Sequence, residues 1–199
     1  MTEREKMINN LLYDPTDEEL VKLRRNARNQ LMIFNSLNDS MHEKRKEILQ
    51  NLFGSYGEGT FIETGLMMDY GCNTYIGNDA YINFNCTILD CAKVVIKDNV
   101  FIGPNVSFYT PVHPLVASER IIRVENGRKF DLEYCKPITI EENVWLAGSV
   151  IVNGGVTIGK NSVIGSGSVV TKDIPENVFA AGNPCRVIRP ITDEDMLEK

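Results

Sequence analysis

From Gly54 onward the apolar positions recur every six residues. Ile140, Leu146, Val152, Ile158, Ile164 and Val170 form one unbroken run. Ile96, Ile102 and Phe108 form a second, and Ile76, Ile82 and Ile88 a third. The residue after the aliphatic one is usually small or Asn, as at Gly77, Asn83, Gly103, Ala147, Asn153, Gly159 and Gly165. Small or β-branched residues recur four positions after it, among them Val100, Val106, Val144, Val150, Ser162 and Ser168. A six-residue period fits neither a lone helix nor a plain alternating strand. It predicts a solenoid of short flat strands joined by turns, each aliphatic side chain pointing inward and stacking on its equivalent one coil away. The small residue after it is expected to permit the turn. Three hexads make an 18-residue coil of triangular section, so 96–113, 140–157 and 158–175 read as three coils.

Residues 1–55 carry a different pattern, that of helices. Thr2-x-x-Glu5, Thr16-x-x-Glu19 and Ser40-x-x-Glu43 each have the form of a capping box. After Thr16, Leu20, Leu23, Ala27, Leu31 and Phe34 recur at spacings of three and four, which makes one apolar stripe. Ile48, Leu49 and Leu52 continue a shorter stripe that stops at Gly54. The charged faces between them, His42 included, are expected to be solvated surface.

One interruption of the period bears on chemistry. The hexads stop between His113 and Pro137, and the segment 114–136 is charged and contains the turn signal Asn126-Gly127. A loop this long in a compact repeat domain is expected to be functional. It opens at the one histidine of the repeat region. A neutral imidazole there can serve as a general base near pH 7. Acyl transfer to an alcohol needs such a base, together with donors for the carbonyl oxygen as it becomes an oxyanion.

Composition narrows the classes. Twenty-one Lys and Arg against 27 Asp and Glu give a net charge of −6, which argues against a nucleic-acid protein. Apolar residues make up 43%, enough for one sizeable core with a short appendage. No apolar run is long enough to span a membrane, and the charged start Met1–Lys6 has no secretory h-region, so a cytoplasmic protein is expected. The five cysteines are odd in number and lack C-x-x-C spacing, so reduced, mostly buried thiols are expected. With only two histidines, His42 and His113, one chain cannot supply a three-histidine zinc site, and a γ-class carbonic anhydrase is excluded.

The hexads resemble those of the hexapeptide-repeat acyltransferases, which implies a left-handed parallel β-helix. Further stretches resemble the maltose and galactoside O-acetyltransferase family nearly end to end. They include Leu12-Tyr13-Asp14-Pro15, Asp69-Tyr70-Gly71-x-Asn73, Tyr81-x-Asn83-x-Asn85-Cys86 and Tyr109-Thr110-x-x-His113-Pro114. The match closes with Val169-Val170-Thr171-Lys172-Asp173-Ile174-Pro175 and Ala181-Gly182-Asn183-Pro184-Cys185-Arg186.

This resemblance implies an acetyl-CoA-dependent O-acetyltransferase acting on a sugar hydroxyl, without a metal, as a homotrimer with active sites between subunits. It divides the chain into a helical segment 1–55, a β-helix domain 56–190 with the extruded loop 114–136, and a tail 191–199. It makes His113 the base and the Gly148 N–H the oxyanion donor. Acceptor residues map to Asp14, Arg24, Asp69, Tyr81 and Asn83, with Asp17 an alternative to Asp14. Cys91 stands where galactoside-specific members carry a second acid, so the acceptor can be another sugar or hydroxyl compound. Cofactor positions map to Asn83, Ala147, Gly148 and Ser166. Thr171, Lys172, Arg186 and Arg189 are expected to cluster around the CoA phosphates. A hexapeptide-type antibiotic acetyltransferase is the alternative activity, and a non-catalytic scaffold the least favoured reading.

Overall fold

A computed structural model describes residues 1–197; the last two residues of the expected tail lie outside the described residues. The chain opens with three helices, α1 (Glu3–Ile8), α2 (Glu18–Ser36) and α3 (His42–Leu52), and then winds into a parallel β-helix from Ser55 on. Three sheets form its faces. The first runs through Ser55–Tyr56, Thr74–Ile76, Val94–Ile96, Ile138–Ile140 and Thr157–Ile158. The second stacks seven strands from Phe61–Ile62 to the antiparallel edge strand Arg186–Pro190. The third stacks Met67–Met68, Thr87–Leu89, Ser107–Tyr109, Ile151–Asn153 and Val169–Val170.

The six-residue ladder is the core. Ile82, Ile88, Phe108, Ile140, Leu146, Val152, Ile158, Ile164 and Val170 are all fully buried. Burying an aliphatic side chain is worth about 1.5–3 kcal/mol, so each coil is held chiefly by its inward residues and its parallel ladder bonds.

Two details differ from the sequence expectation. The coils are not all 18 residues long. Ile140 pairs with Ile158, an 18-residue coil, whereas Tyr75 pairs with Val95 and Ile76 with Ile96, a 20-residue coil. The two added residues fall where the third face passes to the first, so this edge is broader in the early coils. The turns also work differently. Left-handed backbone lies three positions after the aliphatic residue, at Asp79, Asn85, Asn99, Asn105, Asn143 and Asn161. Asn tolerates that conformation best among side-chain-bearing residues, which explains its abundance here. The small residue directly after the aliphatic one instead lets the neighbouring coil approach. A Cβ on Gly57 would lie 2.0 Å from the Gly77 oxygen. Gly57→Ala is therefore expected to destabilise the protein by about 1–3 kcal/mol, read as a lower Tm in thermal unfolding. An unchanged Tm would show that the coil spacing relaxes freely.

The helices cap the first coils. Leu20, Ala27, Leu31 and Phe34 of the α2 stripe are buried, as are Ile48, Leu49 and Leu52 of α3. Thr2 and Glu5 make the expected capping box. The other two boxes do not form. Asp17, not Thr16, caps α2 by accepting from the Glu19 N–H at 3.0 Å. Asn38 caps a short 3₁₀ turn, and α3 begins without a side-chain cap. The charged faces are not all solvated. Arg45 is buried, bonded to Asp39 and the Ile62 oxygen and lying over the Phe34 ring. His42 is exposed but stacks on Phe61, with centroids 5.7 Å apart. All five cysteines are free thiols, four of them buried and Cys72 half-buried.

Candidate active site

The broad edge between the third and first faces is where the long loop leaves the coil. Its two arms, Pro111–Val112 and Tyr134–Cys135, pair antiparallel, Pro111 opposite Cys135 and Val112 opposite Tyr134. Beyond them come the short helix α4 (Ala117–Arg120) and a hairpin, Arg123–Glu125 with Arg128–Phe130, turned through Asn126-Gly127. Both turn residues have positive φ, as a two-residue hairpin turn requires.

The arms fix the surroundings of His113. Continuing the register brings His113 opposite Glu133. The imidazole is 47% exposed; its Nε2 lies 3.7 Å from Glu133 Oε2 and its Nδ1 3.9 Å from Asp131 Oδ2. Glu133 is buried and also pairs with Tyr13 on its other side. The Tyr13 N–H donates to the Glu133 oxygen at 3.0 Å, the Glu133 N–H to the Tyr13 oxygen at 3.2 Å, and the Tyr13 hydroxyl to the Glu133 carboxylate. Burial pushes the Glu133 carboxyl above the usual range, against the opposing pull of the Tyr13 hydroxyl and of His113.

Asp14 follows as the first residue of a tight turn. Its Oδ1 accepts from the Thr16 N–H at 2.8 Å and the Thr16 hydroxyl at 2.7 Å, and its Oδ2 meets Arg128 from the hairpin at 2.5 Å. Asp14 is the acid that faces the loop, and Asp17 serves the helix. Arg24 donates to the Tyr70 hydroxyl and to the Pro15 oxygen, both at 2.6 Å. Its fork therefore holds the N-terminal segment against the coil. Asp69 pairs with Arg28 at 3.4 Å and accepts from the Cys91 thiol at 3.7 Å. Cys91 itself is buried, and burial together with Asp69 raises its thiol well above the ordinary range. Its side chain is turned to Asp69 and away from solvent. An apolar cleft of about 340 Å³ runs beside Asp69, between α2 and the third face.

Sequence reasoning missed several of these residues. Asp90 is buried and accepts from the Tyr70 and Asn73 N–H groups at 2.8 and 3.2 Å; burial pushes it up to about 7 despite those bonds. Arg28, Arg128, Asp131 and Glu133 were missed too. No spacing in the sequence points to Glu133, because its place opposite His113 follows from the pairing of Pro111 with Cys135 and Val112 with Tyr134.

The remaining expected residues lie elsewhere. Asn83, Ala147, Gly148 and Ser166 form a column on the edge between the second and third faces, set by the strand register there. The Ala147 N–H is used, donating to the Ile164 oxygen at 2.9 Å. Among the described residues, the Gly148 and Ser166 N–H groups donate to no protein acceptor. Within one chain the width of the third face separates this column from the His113 edge, roughly 16 Å for five extended residues. Tyr81 sits on the second face between Phe61 and Phe101, its ring centroids 6.2 and 6.4 Å from theirs.

The expected cation cluster does not form within one chain. Thr171 and Lys172 are exposed on the His113 edge, in the last coils. Arg186 lies in the final edge strand opposite Ala181, near the other edge. Arg189 is occupied by Asp195 in a two-bond pair at 2.6 and 2.8 Å. Among the described residues no three His, Cys, Asp or Glu side chains group as a metal site.

Two family models match the chain. The maltose acetyltransferase hexapeptide capping motif matches residues 6–57, and the bacterial transferase hexapeptide, with six repeats, matches residues 137–172. The galactoside O-acetyltransferase of Escherichia coli strain K12 is 44% identical over 184 residues, covering 92% of this chain and 87% of that one. A solved maltose O-acetyltransferase from Clostridium difficile 630 superposes with a TM-score of 0.89 at 44% identity, covering 97% of this chain and 99% of that one. A solved galactoside acetyltransferase in complex with coenzyme A gives 0.90 at 42% identity, covering 98% and 94%.

Proposed function

Because the chain belongs to the maltose and galactoside O-acetyltransferase family of hexapeptide-repeat transferases, we propose that it moves the acetyl group of acetyl-CoA to a sugar hydroxyl, with His113 as general base. The chain is an acetyl-CoA-dependent O-acetyltransferase; the sugar acceptor and the histidine base are the proposed part. The observation that carries it is the half-exposed imidazole at the mouth of the extruded loop, beside two carboxylates.

The transfer is direct. An imidazole nitrogen of His113 takes the proton of the acceptor hydroxyl. The oxygen forms a bond to the thioester carbonyl carbon, and the electron pair of the C=O moves to oxygen. The free Gly148 N–H is aimed at that developing charge, where a preorganised donor stabilises the transition state more than the ground state. The C–S bond then breaks, and CoA leaves as thiol with the proton that the imidazolium returns. Asp14, Arg24 and Asp69 line the acceptor side, their carboxylates and guanidinium suited to sugar hydroxyls.

The separation of the His113 edge from the Gly148 column supports a homotrimer in which one subunit's base faces its neighbour's cofactor groove. Lys172 of the base edge and Arg186 of the groove edge then meet the CoA phosphates across the same interface. The second face also favours association, since Phe101 is 54% and Trp145 51% exposed.

A panel of acceptors tests this reading: glucose, maltose, phenyl β-galactoside and chloramphenicol, each with acetyl-CoA, followed by thiol release. Turnover is expected on at least one sugar. Turnover on chloramphenicol alone would move the chain to the antibiotic class, and none on any hydroxyl compound would sink the reading.

A further inference from the structure

Three segments far apart in the chain make one row of side chains beside the candidate base. Register places Glu133 between Tyr13 and His113, and its two carboxylate oxygens are divided between them: Oε1 takes the Tyr13 hydroxyl and Oε2 faces the imidazole at 3.7 Å. Glu133 is buried, His113 pulls its carboxyl down, and the acidic groups Asp131 and Asp69 push it up. Burying a carboxylate without a cation is costly. The arrangement becomes favourable when the imidazole acquires a proton.

We propose that Glu133, held in place by Tyr13, is a positioning residue for His113: its carboxylate orients the imidazole and balances the charge that arises when the acceptor proton is taken. This rests on His113 being the base. The logic is that of a triad, in which an acid fixes the ring of a base and stabilises its cation without itself taking the proton. The 3.7 Å separation is longer than a hydrogen bond, and such contacts tighten when substrate is bound. Two antiparallel backbone bonds already fix Tyr13 to Glu133, so the tightening needs movement only on the His113 side.

The test is a double-mutant cycle on the full chain with the best acceptor of the panel. Glu133→Gln keeps the size of the side chain and an oxygen for the Tyr13 hydroxyl. It is expected to lower kcat by about 10–100-fold, with KM for acetyl-CoA and acceptor changed less than about twofold. In a His113→Ala background the same substitution is expected to change kcat by less than about twofold, because a residue acting through His113 has nothing left to act on. Equal losses in both backgrounds would mean that Glu133 only holds the loop, and would overturn the proposal. So would full activity of Glu133→Gln. Should Glu133→Gln fail to fold, Tyr13→Phe leaves the carboxylate and removes its anchor. It is expected to lower kcat severalfold with the same dependence on His113, and an equal loss in both backgrounds is again the refuting result. Activity retained by His113→Ala alone would remove the base assignment itself, and that arm reports it separately.

Discussion

Replacing His113 with alanine is expected to lower kcat by about 10²–10⁴-fold, the range a positioned general base contributes, while the Kd for acetyl-CoA stays within about twofold. That rate loss corresponds to about 3–5 kcal/mol of transition-state stabilisation. The substitution removes the proton acceptor without disturbing the coil. The imidazole is half-exposed, and its neighbours Asp131 and Glu133 are held by their own loop and by Tyr13. Nothing in the ladder of the core depends on it, so Tm is expected to stay within a few degrees. Activity and stability therefore separate cleanly at this residue. His42, stacked on Phe61 far along the chain, serves as the control: His42→Ala is expected to leave kcat unchanged. Full activity of His113→Ala on a confirmed acceptor would end the general-base mechanism and require another group to take the hydroxyl proton.

The fold was legible because two positions in each hexad face inward, and the ladder position is apolar at every coil, with the small or β-branched residue four places on buried beside it. The ladder from Ile140 to Val170 could be placed in the core from its spacing alone. The widened coils were not legible to the same degree. The step from Ile88 to Ile96 breaks the six-residue count, but nothing in Asp90-Cys91-Ala92 says that the surplus swells one edge. Arg45 could not be distinguished from a solvated charge, because its burial depends on Asp39, Phe34 and Ile62, which only the helix packing brings together. His113 was visible as the histidine at the end of the period. Glu133 was not, because the loop has no period to place it and its role arises from antiparallel register with two other segments. The spread of the cations within one chain was hidden for a related reason. Lys172 and Arg186 are near in sequence, but they sit at opposite sides of one face, and Arg189 is already neutralised by Asp195.

The proposed trimer, with each site shared between two subunits, predicts the second large effect, recovery of activity from two dead parents. Gly148→Trp is expected to block the groove without disturbing the coil, since a Cβ at Gly148 meets its nearest atom, the Pro104 oxygen, at an ordinary 3.5 Å. His113→Ala removes the base and leaves the groove edge intact. Each parent is expected to retain about 1% of wild-type turnover or less, the loss expected when the base is removed or the groove is closed to acetyl-CoA. In trimers assembled from an equal mixture, a site is whole when the His113 edge comes from the Gly148→Trp chain and the groove edge from the His113→Ala chain. Random cyclic assembly makes that combination at about a quarter of the sites. Co-expressed or co-refolded chains are therefore expected to regain roughly a quarter of wild-type kcat, at least about tenfold above either parent. The parents mixed after assembly, without subunit exchange, are expected to stay inactive. A chain that carries its whole site within itself cannot recover in this way, because every subunit in the mixture still holds one defect. Co-assembled trimers that remain at the parental level would therefore rule out the shared site and place base and groove on the same subunit.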